Sequence, residues 1–272
     1  MPTPRSTARS SLPSVNSDDD RLKHLARVGY VALAVVYLMI AWLAIQLAFG
    51  DREGKPSSSG AMQQLAEQPL GGVLVWVVSI GLFLLAIWKV VEVVAGDELK
   101  DRVMAAVKAV IYVTIGISGV KVATGAGSSG SSGKGGEETW TAKLMNLPGG
   151  QLLVGVVALV IIGYGLYEIS KAWTDKFAEQ LDAEGRSGST GTAFLWFGRI
   201  GFVARGVAFV IVGGLFAYAA ITHDAQKSGG LDQALYEVLD QPFGPVLLCA
   251  IGLGLACFGL FTLARAKHLN VD

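Results

Sequence analysis

QPLGG, at residues 68–72, stands directly before a long apolar run, and two later segments repeat this arrangement. They are NLPGG at residues 146–150 and QPFGP at residues 241–245. Proline is favoured in the first turn of a helix, where its missing N–H costs no hydrogen bond, and glycine lets the backbone approach a neighbour closely. Each segment therefore predicts a structural corner at which an apolar helix begins. The residues with this role are Pro69, Gly71, Pro148, Gly149, Pro242 and Gly244.

Six apolar runs are long enough to span a bilayer, and the corners precede three of them. One transmembrane helix needs about 20 mostly apolar residues. Only 16% of the 272 residues are charged, whereas an ordinary soluble domain has about 25%. We therefore predict an all-α polytopic membrane protein. Its transmembrane helices are expected over residues 28–49, 73–95, 103–123, 151–170, 200–220 and 244–264.

The six helices form three copies of a two-helix unit. The odd-numbered helices align on an aromatic residue, and the even-numbered helices align on the corner prolines. Each unit crosses the membrane twice, so all three copies enter it in the same orientation. Parallel repeats are related by an axis along the membrane normal. The predicted architecture is three parallel two-helix repeats around a pseudo-threefold axis. The aligned aromatic residues are Tyr37, Tyr112 and Phe209.

The repeats divide the chain into four segments. The first is polar, rich in serine and proline and without an apolar face, so we predict a disordered cytoplasmic tail. Each of the other three contains one helix pair. The segments are 1–26 (tail), 27–98 (repeat 1), 99–185 (repeat 2) and 186–272 (repeat 3).

Segments between the spans have distinct compositions. Residues 124–140 are rich in glycine and serine, which predicts a flexible linker. In the inner loop of repeat 2, Trp173, Phe177 and Leu181 are four residues apart. This spacing predicts an amphipathic helix that continues the fourth span or lies on the inner leaflet. Short amphipathic stretches before two corners are expected to lie along the outer interface. Their apolar residues are Met62, Leu65, Leu231, Leu235 and Leu239.

Basic residues are unevenly distributed between the loops. With the N-terminus inside, the cytoplasmic segments contain most of the lysine and arginine, and the outer loops contain few. The positive-inside rule then places both termini in the cytoplasm.

Two motifs of this chain resemble those of a known family. ARVGY opens the first span, with GRIGFVARG at the fifth, and the Gln-Pro-x-Gly corner precedes even-numbered spans. Together they resemble a family of bacterial integral membrane proteins, frequent in actinobacteria, that is named only as domain of unknown function 1206. That family is described as three copies of a paired transmembrane helix. The resemblance covers about residues 27–267, with repeat 2 the most divergent. It implies a multi-pass protein of the bacterial plasma membrane, and it implies no activity.

The residues that usually carry catalysis or bind metals are dispersed. Cys249 and Cys257 are eight residues apart on one helix, about 12 Å, too far for a disulfide. His24, His223 and His268 have no second ligand at metal-binding spacing. No glycine-rich phosphate-binding motif occurs. We therefore predict no enzymatic activity, no catalytic residues, no cofactor, no metal and no nucleic-acid partner.

Five ionisable residues inside the spans share the predicted cytoplasmic side. Such residues are costly in a bilayer unless they pair or reach the headgroups. One hypothesis is a polar vestibule in which Lys108 and Arg205 face Glu92 and Glu168 and bind a lipid headgroup or a small metabolite. The alternative, which the sequence favours, is that they reach the interface or lock helix packing. The cluster comprises Lys89, Glu92, Lys108, Glu168 and Arg205.

Repeat alignment places the ionisable residues in two columns. Leu33, Lys108 and Arg205 occupy one column of the odd-numbered helices. A second column on the even-numbered helices contains Glu92, Lys171 and Arg265. The residues in each column differ chemically between the repeats. Positions that differ in this way are candidates for a function that the three repeats do not share.

Two classes of function are compatible with this sequence. The first is a non-enzymatic structural or accessory membrane protein whose partners are membrane lipids or an unidentified membrane protein. The alternative is a transporter or channel for small solutes or lipids, with a site on the pseudo-threefold axis. Polar residues facing the axis would favour the transporter, and a dry axis would favour the accessory role.

Overall fold

A computed structural model describes residues 15–50, 54–95, 99–125, 141–181 and 187–268. Within these ranges the chain is all-helical with no β-strand, and six helices are long and apolar enough to cross a membrane. This confirms the predicted fold class. The helices are α1 (Val15–Ala48), α2 (Ser58–Ala66), α3 (Gly71–Ala95), α4 (Leu99–Ala123), α5 (Gly150–Thr174), α6 (Gly188–Thr222), α7 (Leu231–Leu239) and α8 (Gly244–Lys267).

The long helices pack side by side in the order α4, α3, α1, α8, α6, α5. Helices that follow each other in the chain are therefore neighbours, and α8 returns to pack against α1. In the described part of the chain, α4 and α5 are the consecutive long helices that do not pack along each other. The long helices therefore follow a ring in chain order that is open between α4 and α5, and the pseudo-threefold axis itself stays a prediction.

The outward faces of the long helices are apolar. Ile80 on α3, Leu159 on α5 and Leu253 on α8 are exposed, together with many other large aliphatic side chains. A soluble protein rarely exposes so continuous an apolar surface. On a membrane protein this surface contacts the lipid chains, so it needs no other partner.

The three corners form the same turn. The N–H groups of Gly71, Gly150 and Gly244 donate hydrogen bonds of 2.7–2.8 Å to carbonyls three residues earlier. The residue before each glycine has a positive φ, between 62° and 73°. A proline followed by a residue of positive φ, closed by such a hydrogen bond, is typical of a type II turn. The residues of positive φ are Leu70, Gly149 and Phe243.

This geometry corrects two details of the corner prediction. The helices begin two residues after each proline, so the prolines lie in the turn and not in the first helical turn. In repeat 2, Gly149 supplies the positive φ, and Gly150 is the glycine that approaches a neighbour closely. A Cβ on Gly150 would overlap the carbonyl oxygen of Leu144. The four-residue motif and the position of its last glycine are shared by the repeats, so the residue equivalent to Gly71 and Gly244 is Gly150.

Short helices cover the predicted outer end of the bundle. Met62 on α2 and Leu235 on α7 are fully buried, so their apolar faces pack onto the long helices. Residues 141–145 are also helical and precede the corner of repeat 2. The two predicted interfacial stretches therefore have a third counterpart.

The tail prediction is wrong for residues 15–26, which belong to α1. Extending an existing helix adds one hydrogen bond for each residue that is ordered, so a span propagates easily into polar sequence. Residues 1–14 lie outside the described residues, as does the predicted linker beyond Gly125 up to residue 140.

The described part of the inner loop of repeat 2, up to Leu181, enters the bundle. Helix α5 ends at Thr174, because Asp175 adopts a left-handed conformation with φ of 50° and the chain reverses there. Phe177 and Leu181 are then fully buried, whereas Trp173 is 83% exposed. The predicted amphipathic helix is therefore wrong beyond Thr174.

Candidate functional site

A small polar cavity, the inner cavity, lies inside the bundle near its predicted cytoplasmic end. Its volume is about 10 Å³, which corresponds to roughly one water molecule. Residues of α1, α4, α5, α6 and α8 line it. They are Tyr30, Leu33, Lys108, Tyr112, Glu168, Phe202, Arg205, Phe258, Phe261, Thr262 and Arg265.

Arg205 on α6 is the best-connected polar residue of this cavity. One guanidinium nitrogen, Nη1, donates to Oε2 of Glu168 at 3.0 Å. The other, Nη2, donates to the hydroxyl of Tyr164 at 3.2 Å. The residue is only 3% exposed. It stands six residues after Arg199, which is about 9 Å further along the helix.

Four aromatic rings surround the Arg205 guanidinium. Its carbon lies 4.6 Å from the ring centre of Phe258 and 5.4–5.7 Å from those of Tyr37, Tyr164 and Phe209. The rings come from α1, α5, α6 and α8. Aromatic faces attract cations, and the attraction strengthens when water is excluded. This cage lowers the cost of holding a permanent charge inside the bundle.

Glu168 is the carboxylate that balances Arg205. It is fully buried on α5, and its Oε1 lies 3.6 Å from Nζ of Lys171, one turn along the same helix. Lys171 is itself buried and lies over the rings of Tyr167 and Phe202. One carboxylate therefore stands between two basic side chains.

Two further basic residues, Lys108 and Arg265, line the same cavity and are half-buried. Arg265 on α8 stacks on Tyr30 at 4.1 Å. The Nε atoms of Arg205 and Arg265 and the Tyr30 hydroxyl are buried without a hydrogen-bond partner. We call Lys108, Lys171, Arg205 and Arg265 the cationic cluster. Three of its members line the cavity, and Lys171 stands beside it. Among these four, Arg205 and Lys171 form ion pairs with Glu168.

Lys89 and Glu92 form a separate ion pair on α3. Lys89 is buried, whereas 40% of the Glu92 side chain is exposed. Neither residue lines the inner cavity. Lys89 is the partner that Glu92 contacts, and Lys108 and Arg265 also act electrostatically on its carboxylate. That Glu92 faces Lys108 and Arg205 therefore stays a prediction.

Two glycines bring α5 and α6 together beside the ion pair. A Cβ on Gly165 would lie 2.7 Å from the carbonyl oxygen of Gly206, and a Cβ on Gly206 would lie 2.6 Å from that of Gly165. Gly165 is one turn from Glu168, and Gly206 follows Arg205. The close backbone approach therefore sets the distance across which the ion pair forms.

A second, larger cavity, the outer cavity, lies on the other side of Arg205. Its volume is about 250 Å³. Arg205 is the charged residue among its lining residues, and Ser58 and Leu231 of the short helices lie at its predicted outer end. The remaining walls are Tyr37, Ile40, Val110, Ile111, Thr114, Ile115, Ala208, Phe209, Val212 and Leu255. Arg205 thus lines both cavities.

Four aromatic rings close the inner cavity toward the predicted cytoplasmic end. Phe177 from the inner loop packs against Phe202 and Phe261, with ring centres 5.4 Å apart in both cases. Phe202 also meets Phe258 at 5.3 Å. The buried loop segment therefore packs against two aromatic residues, Phe202 and Phe261, that line the inner cavity.

The structure brings together three of the five polar residues singled out in the sequence: Lys108, Glu168 and Arg205. Sequence reasoning missed Lys171 and Arg265 as members of the site, although their alignment in one repeat column was a signal. Within the described residues, no group of three or more His, Cys, Asp or Glu side chains is arranged to hold a metal ion.

Comparison with known proteins agrees with the repeat architecture. The family model described as Domain of Unknown Function (DUF1206) matches residues 28–96, 103–175 and 200–268. The chain belongs to the DUF1206 family. Each match covers one helix pair, which confirms three tandem repeats. The chain is also similar to the uncharacterized protein YxxB of Bacillus subtilis (strain 168), with 29% identity over 258 residues and 92% of each chain covered. No solved structure matches.

Proposed function

We propose that this DUF1206 protein binds a small anion inside the bilayer and carries it across the membrane. The observation behind the proposal is the charge imbalance of the inner cavity, whose lining residues include Lys108, Arg205 and Arg265 but one carboxylate, that of Glu168. Buried charge without a partner is expensive in a protein interior and more so within a bilayer. An anion would neutralise the excess and accept from the Nε and hydroxyl groups that now lack partners.

The position of Arg205 supports transport beyond simple binding. It lies between the two cavities, so an anion passing along the bundle interior would meet it from either side. The Phe177 loop segment at one end and the short helices at the other separate both cavities from the bundle ends. This arrangement is compatible with a closed carrier, and polar residues facing the interior support the transporter over the accessory role.

The proposal involves binding without covalent chemistry, so the protein is not an enzyme. It also includes a bacterial plasma-membrane location with both termini in the cytoplasm, which the distribution of basic residues supports. The inner cavity then faces the cytoplasm.

Anion uptake by proteoliposomes tests the proposal. Purified full-length protein is reconstituted, and uptake of chloride, phosphate, acetate and octanoate is measured. We expect saturable uptake of at least one anion and a loss of about tenfold or more in Arg205→Gln, because a positive charge is removed from the pathway. Arg199→Gln is the matched control, since that arginine is on the same helix in an exposed ion pair with Asp175.

A second variant separates loss of function from loss of fold. Arg205→Gln leaves Glu168 without its arginine, so the double variant Arg205→Gln/Glu168→Gln removes both charges together. If this variant folds and still transports as well as the wild type, the proposal is wrong. The proposal is also wrong if the wild type neither binds nor transports any of the four anions. In that case, a stoichiometric protein partner recovered from native membranes would favour the accessory role.

A further inference from the structure

The outer cavity combines a charged floor with apolar walls. Arg205 closes it at one end, and aliphatic side chains of α1, α4, α6 and α8 form most of the lining. Ser58, Thr114 and the hydroxyl of Tyr37 are the other polar groups there. An inorganic anion would gain nothing from the apolar walls, and a neutral apolar molecule would leave the Nε–H of Arg205, which Glu168 and Tyr164 do not use, without an acceptor. The chemistry of this cavity matches a molecule with one acidic group and one apolar body.

We infer that the anion of this protein is an amphiphilic carboxylate with a single short apolar body. This inference rests on the proposed function and specifies its substrate class. The carboxylate lies at Arg205, and the apolar body lies between Ala208, Ile111 and Leu255. The Nε–H of Arg205 has no partner among the described residues and can donate a charge-assisted hydrogen bond to this carboxylate.

The volume of the cavity limits the size of the apolar body. A dry cavity of 150 Å³ lined by aliphatic and aromatic residues accommodates benzene. The outer cavity, at about 250 Å³, is therefore large enough for a body of about six to ten carbon atoms. It is too small for the two acyl chains of a bilayer phospholipid. A medium-chain carboxylate fits, and a membrane lipid does not.

The cavity also has a lateral side toward the bilayer. Val110 and Thr114 line it from α4, and both are exposed on the outside of the bundle. In the described helices, α4 and α5 do not pack along each other, so this side lacks the helix contact that closes the others. An amphiphile partitions into lipid before it binds. Lateral access from the bilayer suits such a molecule better than access from water.

The test compares three probes that share either the head group or the apolar body. Octanoate has both, acetate has the carboxylate alone, and octanol has the apolar chain alone. Binding to the purified full chain in nanodiscs is measured by titration, with empty nanodiscs subtracted as a blank. We expect octanoate to bind at least tenfold more tightly than acetate or octanol.

A cavity-filling variant supplies the structural control. Ala208 is buried one turn after Arg205 and lines the cavity, so Ala208→Leu occupies the volume but keeps the charge. Octanoate affinity should fall at least tenfold in this variant. Ala250→Leu adds the same side chain on the exposed face of α8 and should leave affinity unchanged. If Ala208→Leu misfolds, Val212→Phe fills the same cavity one turn further along.

Three other outcomes show which proposal fails: the anion-binding function or the amphiphilic carboxylate as its ligand. If acetate binds as tightly as octanoate and Arg205→Gln weakens both, the proposed function stands and the inference fails. If octanol binds as tightly as octanoate and Arg205→Gln changes neither, the cavity recognises apolar bodies only and the inference is wrong. If no anion binds at all, both proposals fail.

Discussion

At the scale of single residues, the main feature of the protein interior is the set of contacts that the guanidinium of Arg205 makes. Arg205 uses its two terminal nitrogens for Glu168 and Tyr164, and its faces contact aromatic rings. A lysine could not make both in-plane hydrogen bonds and stack in the same position, because its ammonium is a compact point charge. The arginine is therefore specified by geometry as well as by charge.

Neutralising Glu168 should destabilise the protein, and anions should restore the stability. Glu168→Gln leaves two buried basic residues without their carboxylate, which costs about 3–5 kcal/mol in comparable buried pairs. We expect a lower unfolding temperature in low-salt detergent solution. A bound anion stabilises the folded state by mass action, so an anion that the protein binds should raise the unfolding temperature of the variant more than that of the wild type.

Asp175→Asn is the control for the Glu168 variant. Its ion pair with Arg199 is about half-exposed, and such pairs contribute about 0–1 kcal/mol. Equal stability of the two variants would contradict the view that the cationic cluster needs a counter-charge. The anion site would be contradicted if no tested anion raised the unfolding temperature of Glu168→Gln more than that of the wild type.

At the scale of elements, the corner turn is the unit that the three repeats share. At each of the three corners, a residue of positive φ precedes a glycine. A Cβ added to that glycine would overlap a carbonyl oxygen of the preceding helical segment. Leu70 and Phe243 adopt the positive φ although they are not glycine, and both are exposed at the membrane surface. The turn is thus held by its surroundings in two repeats and by Gly149 in the third.

Adjacent glycines of the first corner should respond oppositely to alanine. A Cβ on Gly71 would overlap the Ala66 carbonyl oxygen, whereas nothing lies within 4 Å of a Cβ on Gly72. Gly71→Ala should destabilise the protein by about 1–3 kcal/mol through overpacking. Gly72→Ala should be neutral or should stabilise α3 by up to about 1 kcal/mol. Thermal unfolding in detergent measures both, and equal effects would show that the corner tolerates a Cβ.

At the scale of the whole molecule, the six long helices place the charged interior at one end and the short helices at the other. Helix α1 begins, and α8 ends, at the end that contains the inner cavity. The order in which the helices pack leaves α4 and α5 apart. Both proposed properties, the anion site and its lateral access, are therefore consequences of the assembled bundle.

Cysteine labelling in intact cells should reveal this orientation. In a background with Cys249 and Cys257 replaced by alanine, a cysteine at exposed Gln226 should react with a membrane-impermeant maleimide. A cysteine at exposed Ser189, before the fifth span, should react only after the cells are permeabilised. The reverse pattern would place the cationic cluster on the outer side and would contradict the proposed cytoplasmic termini.

Much of the fold could be predicted because its determinants are local. The span of each long helix follows from a continuous apolar run, and the repeat follows from aligned prolines and aromatic residues. The extension of α1 into its polar flank and the end of the inner helix at Asp175 were missed. Helix ends depend on a few backbone hydrogen bonds, and apolar periodicity does not report them.

The sequence by itself determined the class of this protein: six membrane-spanning helices in three repeats, with the corners that start the even-numbered spans. It also identified Lys108, Glu168 and Arg205 as polar residues within those spans. Only the tertiary structure decided that Lys171 and Arg265 lie beside them and that Arg205 separates two cavities. The reason is physical. Spacing along the chain sets which residues share a helix face, whereas the packing of neighbouring helices sets what that face meets.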